Sequence, residues 1–374
     1  MSDAAHAAAE DFRAGLELLA LLHREDVRGF RARLSTERDV LERFLSFVRR
    51  HGLRQHLAIQ TERLELAPVF DDAARQDMDQ VLVWVRRRQR RLLGEVGWVD
   101  ALFRRRGIPY RLFKGPALAQ RFFGDVRGRD FNDLDVLVPS ERLAEAHAAL
   151  VETGAKRLSK APLGRRVATW FAHGWDYQRD ELRLDLHWAL ATHFSYRIDM
   201  ARLWNEAATV EIEERPIPTL SEESMLLFFA LSFFEDLDRG AGRLKSVVDL
   251  DTMVHALDGR TDWPTFFERA RTERVEQIVR TILALVLDLM PSGPGCPALA
   301  EALAGAPQYA PASWPDRRAL LESPRGALSN KLWAADLFAC GRGAALGWWG
   351  VSLPFRLSTY DPGALRRLAR VPWR

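Results

Sequence analysis

At 374 residues, 47% hydrophobic and 28% charged, the chain is balanced for two or three folded units and is neither intrinsically disordered nor peptide-sized. Two cysteines, Cys296 and Cys340, cannot build a disulfide scaffold or a cysteine zinc site. With no basic-then-apolar leader, and no apolar run longer than Met225–Phe234 (about half a membrane span), the composition points to a cytoplasmic chain without a transmembrane segment. Net charge is only +3, and five of the 54 basic residues are lysines, so the isoelectric point near 9.0 reflects an arginine bias rather than a phosphate-binding surface.

The first hundred residues read as helices. Apolar residues cluster at Leu16–Leu22, recur at helical spacing from Val40 to Val48, and recur again from about Ala73 to Arg106, where Gly107 and Pro109 stop the pattern. The Arg86–Arg91 run inside that third helix reads as a solvated amphipathic face and argues weakly for nucleic acid. Tyr110–Phe113 is β-like, and Pro116–Phe123 is a short helix with proline at its first turn and Gly124 just past its last. Asp133–Val138 is a strand, and Ser140 can cap a helix through Leu150. Trp170–Gln178 and Leu182–Trp188 are strands around the Arg179–Glu181 turn. After a Ser221 cap the chain returns to helix at Met225–Phe234, Leu244–Leu257 and Trp263–Leu289. Residues 291–326 read as loop with short helical turns, and the tail around Trp348, Trp349 and Phe355 reads as docking on the chain's own core. The fold class is α+β: a small mixed sheet in a core at 107–215, between helical regions at 1–106 and 216–374.

The chemistry concentrates in two stretches, Leu112-Phe113-Lys114-Gly115-Pro116 and Arg129-Asp130-Phe131-Asn132-Asp133-Leu134-Asp135. On a strand Asp133 and Asp135 project together, and paired carboxylates of this kind suit magnesium or manganese. In Leu182-Arg183-Leu184-Asp185-Leu186-His187-Trp188 the same alternation puts Asp185 on a polar face, where it completes a three-carboxylate cluster if the two strands are neighbours. His187 reads as a hydrogen-bonded structural histidine before a catalytic one. Gly115 permits close approach of backbone to a ligand, and the helix from Pro116 aims its positive dipole end at the same place. A triphosphate fits there, with Lys114 or Arg129 compensating its charge.

These residues carry a family resemblance. K-G-x-A-L, then R-x-x-x-D-[IL]-D-x-L-V, then L-D-L-H-W resembles the uncharacterised nucleotidyltransferases (NTP_transf_5 type) of the DNA polymerase β-like superfamily, over about residues 75–255. The resemblance implies that Gly115 is the nucleotide-binding glycine, that Asp133 and Asp135 are the metal pair, and that Asp185 is the third carboxylate. Lys114 and Arg129 match the family's lysine and arginine. Two departures stand out: Pro116 follows the glycine where serine or a second glycine is usual, and Phe233, Phe234 and Glu235 stand where relatives carry histidines. The function so implied is transfer of a nucleoside monophosphate from an NTP to a peptide or small-molecule acceptor in natural-product maturation. Two other readings stay open: an inactive nucleotide-binding or scaffold protein, and an RNA-directed nucleotidyltransferase or the toxin of a toxin–antitoxin pair.

Overall fold

The computed structural model describes residues 3–35, 39–158, 172–191, 195–206, 208–238, 241–290 and 295–304, together with 321, 343 and 344. Five helices open the chain: α1 (Asp3–His23), α2 (Val27–Leu34), α3 (Val40–Arg50), α4 (Arg54–Arg63) and α5 (Asp72–Arg105). Three match the apolar periodicity; α2 and α4 do not announce themselves in sequence. In α2 Phe30 alone is buried among arginines. In α4 the buried residues run consecutively from Leu57 to Thr61, because the helix is covered nearly all round and has no apolar stripe. Aspartates open α2 and α5, Asp26 accepting from the Gly29 amide at 2.8 Å and Asp71 from the Ala74 amide at 2.7 Å.

A five-stranded mixed sheet follows, built from β1 (Arg111–Leu112), β2 (Leu134–Leu137), β3 (Lys156–Arg157), β4 (Gly174–Arg179) and β5 (Leu182–His187), in the spatial order β1-β2-β5-β4-β3. The pairing of β2 with β5 is parallel and the other three pairings are antiparallel. Two short helices stand within this region, α6 (Pro116–Phe123) between β1 and β2 and α7 (Leu143–Glu152) after β2. Every residue of β2 is buried, as befits an interior strand with a parallel neighbour. On β5 the alternation is clean: Leu182, Leu184 and Leu186 enter the core while Arg183 stays exposed. The cap expected at Ser140 is not formed. Ser140–Arg142 is a 3-10 turn, the Ser140 hydroxyl bonds the Glu141 carboxylate at 3.3 Å, and α7 begins at Leu143.

A helix α8 (Met200–Asn205) and a hairpin of β6 (Ala208–Ile212) and β7 (Arg215–Thr219) come next. The hairpin turn places Glu213 and Glu214 at φ 48° and 61°, without the glycine or asparagine that normally signals such a turn, and Pro216 and Pro218 mask the strand after it. The last helices are α9 (Glu222–Asp238), α10 (Leu244–Leu257), α11 (Trp263–Thr272), α12 (Glu276–Leu289) and α13 (Pro297–Ala304). Ser221 caps α9, its hydroxyl accepting from the Ser224 amide at 3.3 Å. The single helix expected over Trp263–Leu289 is two, parted where Arg274 takes φ 60°. No glycine or proline marks that break; Glu273, bonded to Arg269 at 3.0 Å, is buried beside it. The aromatic tail and Cys340 lie outside the described residues. Among the described residues no helix is long and apolar enough to cross a membrane.

The arginine run of α5 is less solvated than its spacing suggests. Arg86 pairs with Glu62 and donates to the Arg127 carbonyl at 2.7 Å, Arg88 pairs with Asp130, and Arg91 pairs with Glu181. The contacts to Arg127 and Asp130 fasten α5 to the loop before β2, while those to Glu62 and Glu181 tie it to α4 and to the turn between β4 and β5. On the other side of that loop Arg129 makes a two-pronged bond to Asp249 of α10, at 2.6 and 2.7 Å, with Lys245 at 3.3 Å from the same carboxylate. Burial alone would raise the Asp249 carboxyl, but the charges of Arg129 and Lys245 bring it down to about 2. Asp249→Ala strands the buried guanidinium and is expected to cost about 3–5 kcal/mol, read as a lower urea midpoint at unchanged slope. A loss under about 1 kcal/mol would show that the pair behaves as a surface bridge.

Candidate functional site

The parallel register aligns Asp135 of β2 with Asp185 of β5 as Cα partners. This is the neighbouring of strands that the three-carboxylate reading requires. A side-chain oxygen of each, and a ring nitrogen of His187 from the end of β5, lie within 4.8 Å of one another. Asp133 stands just outside this group, in the bend that leads into β2, close enough to raise the carboxyl of Asp185 through its charge. The four side chains therefore come from one strand pair and the turn that feeds it.

The electrostatics show what the cluster lacks. Burial pushes the Asp185 carboxyl up to about 9, reinforced by the negative charges of Asp135, Asp133 and Asp176 and opposed by Lys114. Asp133 moves the same way, through burial and then Asp135. Asp135 moves down: burial would raise it, but the charge of Lys114 and the His187 hydrogen bond outweigh that. Carboxylates pressed together with too little positive charge suit a divalent cation; the carboxylate oxygens suit magnesium or manganese, and the imidazole is the donor that fits magnesium less well. Asp135 and Asp185 would hold it, with Asp133 or His187 completing the donor set.

Local backbone fixes the remaining pieces. Gly115 sits at φ 53°, ψ −122°, a conformation that costs an L side chain on the order of 1–3 kcal/mol. A Cβ there would also lie 3.0 Å from the Asp133 carbonyl oxygen. The glycine thus brings the first turn of α6 against the backbone of the acidic bend, and Pro116 takes the helix's first position, where no amide hydrogen is missed. Lys114, one residue earlier, places Nζ 3.6 Å from Asp135 Oδ1 and 5.0 Å from the centre of the Phe228 ring. Arg129 is differently employed: its guanidinium is held by Asp249 and acts on Asp133 through its charge.

His187 carries more of the site than its sequence context revealed. Its Nε2 donates to Asp135 Oδ1 at 3.2 Å, and its ring stacks on His173 with centroids 5.3 Å apart and planes 13° from parallel. Gly174, its antiparallel partner on β4, leaves the space that the ring occupies; a Cβ at that glycine would lie 3.1 Å from His187 Nδ1. The alternation of β5 places His187 on the face of Asp185, which was the available signal. Gly174 had none, since its role depends on a residue of another strand.

Comparison with known proteins bears on the family of the chain. No curated protein matches the sequence. Among solved structures, the antibiotic-resistance factor ANT(2'')-Ia in solution is 16% identical, with a TM-score of 0.35 over 52% of this chain and 91% of that one. Crystalline ANT(2'')-Ia in complex with adenylyl-2''-tobramycin is 17% identical at a TM-score of 0.35, over 49% and 97%. An antigenic nucleotidyltransferase-like protein from Paracoccidioides brasiliensis is 16% identical at 0.33, over 58% and 91%. The sequence pattern of one family covers residues 38–291, from the third helix to the end of α12 and through the whole acidic site, and the chain belongs to that family, the uncharacterised nucleotidyltransferases.

Proposed function

We propose that the chain is a metal-dependent nucleotidyltransferase that moves a nucleoside monophosphate from an NTP to a hydroxyl of a small-molecule or peptide acceptor. The observation that carries this reading is the parallel register that sets Asp135 beside Asp185, with the Gly115 turn closing on Asp133. Residues 107–215 are then the catalytic unit, with helical regions at 1–106 and 216–374 on either side. A single buried cysteine among the described residues, Cys296, is compatible with a reducing cytoplasm.

In this reading Asp133, Asp135 and Asp185 are the catalytic and metal-holding carboxylates, and Lys114 and Gly115 form the nucleotide side. Arg129, which the sequence also offers for that side, has its guanidinium held by Asp249. Magnesium or manganese, when bound, supplies the positive charge that the triphosphate and the carboxylates together demand. The acceptor oxygen forms a bond to the α-phosphorus, the bond from that phosphorus to the bridging oxygen breaks, and pyrophosphate leaves. Asp185, which would be held as a carboxylate once a metal's charge offsets its acidic neighbours, accepts the hydroxyl proton. Lys114 balances negative charge beside Asp135, and the first turn of α6 presents its positive dipole end to the phosphates. Arg129, braced by Asp249, holds the acidic bend in place and moderates its charge from behind. Most of the rate advantage comes from position and fixed charge, since transfer at phosphorus needs little covalent chemistry from the protein.

The test is incubation with magnesium, each labelled NTP and a fractionated extract of small molecules and peptides, with products identified by mass spectrometry. Labelling is expected to fall on the order of 10²–10³-fold in Asp135→Asn and in Asp185→Asn. Labelling equal to those variants in the parent protein would overturn transfer and leave the scaffold reading.

A second expectation concerns pH. The folded Asp185 holds its proton more tightly than the unfolded chain does, so its contribution to stability is complete below the ordinary carboxylate range and is lost as pH climbs toward about 9. Without metal, the melting temperature of the parent should therefore drop more steeply between about pH 6 and pH 8 than that of Asp185→Asn, whose amide does not titrate. Magnesium should raise the parent's melting temperature more at the upper end of that range. Parallel pH profiles for parent and variant would count against the crowded-carboxylate picture.

A further inference from the structure

A cavity of about 1080 Å³ with a mostly apolar wall lies apart from the acidic site, between the front helices and the back ones. Its wall includes the end of α1 at His23, the end of α6 at Phe122 and Phe123, and Asp251, Thr252 and His255 of α10. None of the acidic-site residues lines it. The eight residues of α6 span roughly 12 Å, with the acidic bend at one end and this cavity at the other.

Asp251 is the unexplained group. Its side chain is 1% exposed, yet neither carboxylate oxygen has a hydrogen-bond partner. Two imidazoles stand near, His23 and His255, each with a ring nitrogen 3.5 Å from a carboxylate oxygen. Both are spent elsewhere: His23 Nε2 lies 3.1 Å from the Thr252 hydroxyl, and His255 Nδ1 bonds the Asp251 carbonyl at 2.8 Å. Burial, with the charges of His56, His255 and Arg24 as lesser causes, lowers the His23 imidazole to about 3, so it brings no positive charge at neutral pH. His56, whose ring is centred 5.8 Å from that of His23, is lowered by burial to about 4. A carboxylate buried this deeply without a donor carries a desolvation penalty that a bound cation would relieve.

The other groups of the wall have partners, although the charges of His255 and Arg24 also reach Asp251 and offset part of the burial that raises its carboxyl. Arg63 pairs with Glu25 at 2.8 Å and bonds Gln60, Glu17 faces Arg33, Asp26 caps α2, and Arg24 donates to the Met290 carbonyl at 2.8 Å. Carboxylates outnumber guanidiniums on the wall, four to two, and two phenylalanines add apolar faces that a cation can approach. A triphosphate or other polyanion would meet the wrong sign.

We propose that this cavity is a binding site for a small molecule bearing a protonated amine, with Asp251 as its counter-charge and Phe122 and Phe123 as its apolar wall. A primary ammonium offers several donors to the two unbonded oxygens in one contact. The site stands apart from the acidic cluster, so it does not require the transferase reading. It is joined to that cluster through α10, where Asp249 holds Arg129 two residues before Asp251.

The test is calorimetric titration of the full chain with spermidine, repeated on Asp251→Asn, Asp135→Asn and Phe123→Leu. Binding of one equivalent is expected in the parent, retained in Asp135→Asn, and weakened about tenfold or more in Asp251→Asn, as befits loss of a charge-assisted contact. Phe123→Leu keeps apolar volume but removes an aromatic face; a weakening of roughly threefold there supports the site even if Asp251→Asn fails to fold. Equal affinity in a folded Asp251→Asn would overturn the assignment, as would absence of binding by the parent at millimolar spermidine. Loss of binding in Asp135→Asn alone would place the amine in the acidic cluster and overturn it too. A parallel titration with manganese alone gives the last outcome: one ion bound by the parent and lost in both Asp251→Asn and His255→Ala would make the cavity a metal site instead.

Discussion

The structure turns on a repulsion. A parallel pairing of two short strands sets Asp135 beside Asp185 where neither carboxylate is well hydrated, and Asp133 adds a third negative charge from the bend before them. Hydrophobic burial makes the placement possible: Leu134 and Val136 on one strand, Leu184 and Leu186 on the other, anchor the register by entering the core. A slip of one residue would exchange leucines for aspartates in that core, so the packing that stabilises the sheet also holds the charges together. The surrounding residues can be understood as ways of tolerating that crowding. Lys114 offers a nearby positive charge, His187 donates to Asp135, and Arg129 acts from a second layer where Asp249 fixes it.

The helices are part of this arrangement. The front helices reach the acidic bend through Arg88 and Asp130, the back helices through Asp249 and Arg129. Both ion pairs flank the same few residues before β2, which keeps an uncapped, charge-rich segment in one conformation. Because α10 also lines the second cavity, a ligand there would touch the helix that braces Arg129. The two sites thus share one rigid element rather than a surface.

Much of the acidic site was legible in the sequence, and for a physical reason. Period-two alternation fixes which residues share a strand face, so Asp135 and Asp185 read as members of polar faces whatever the sheet order. Glycine followed by proline marked the turn at Gly115, and the bounds of Pro116–Phe123 and Leu244–Leu257 follow from punctuation and periodicity. What stayed hidden depends on partners distant in sequence. Arg129 reads as a free phosphate ligand until α10 arrives with Asp249, 120 residues later. The Arg86–Arg91 run reads as solvated until Glu62, Asp130 and Glu181 are brought against it. The β6–β7 hairpin was missed because two glutamates adopt the positive φ that turn-formers usually supply, and the break at Arg274 for the same reason.

Gly174 shows a different kind of dependence. Its backbone is ordinary strand, and no torsional argument demands a glycine there. It is bare because the imidazole opposite needs the room. The strand that donates no ligand is therefore a mould for the one that does, and its emptiness is a shape as definite as any side chain. A repair that fills the gap to strengthen the sheet, a sound instinct on β-propensity alone, would tilt His187 and reach Asp135 through the hydrogen bond between them. Damage to the acidic site could then begin at a residue that never touches it.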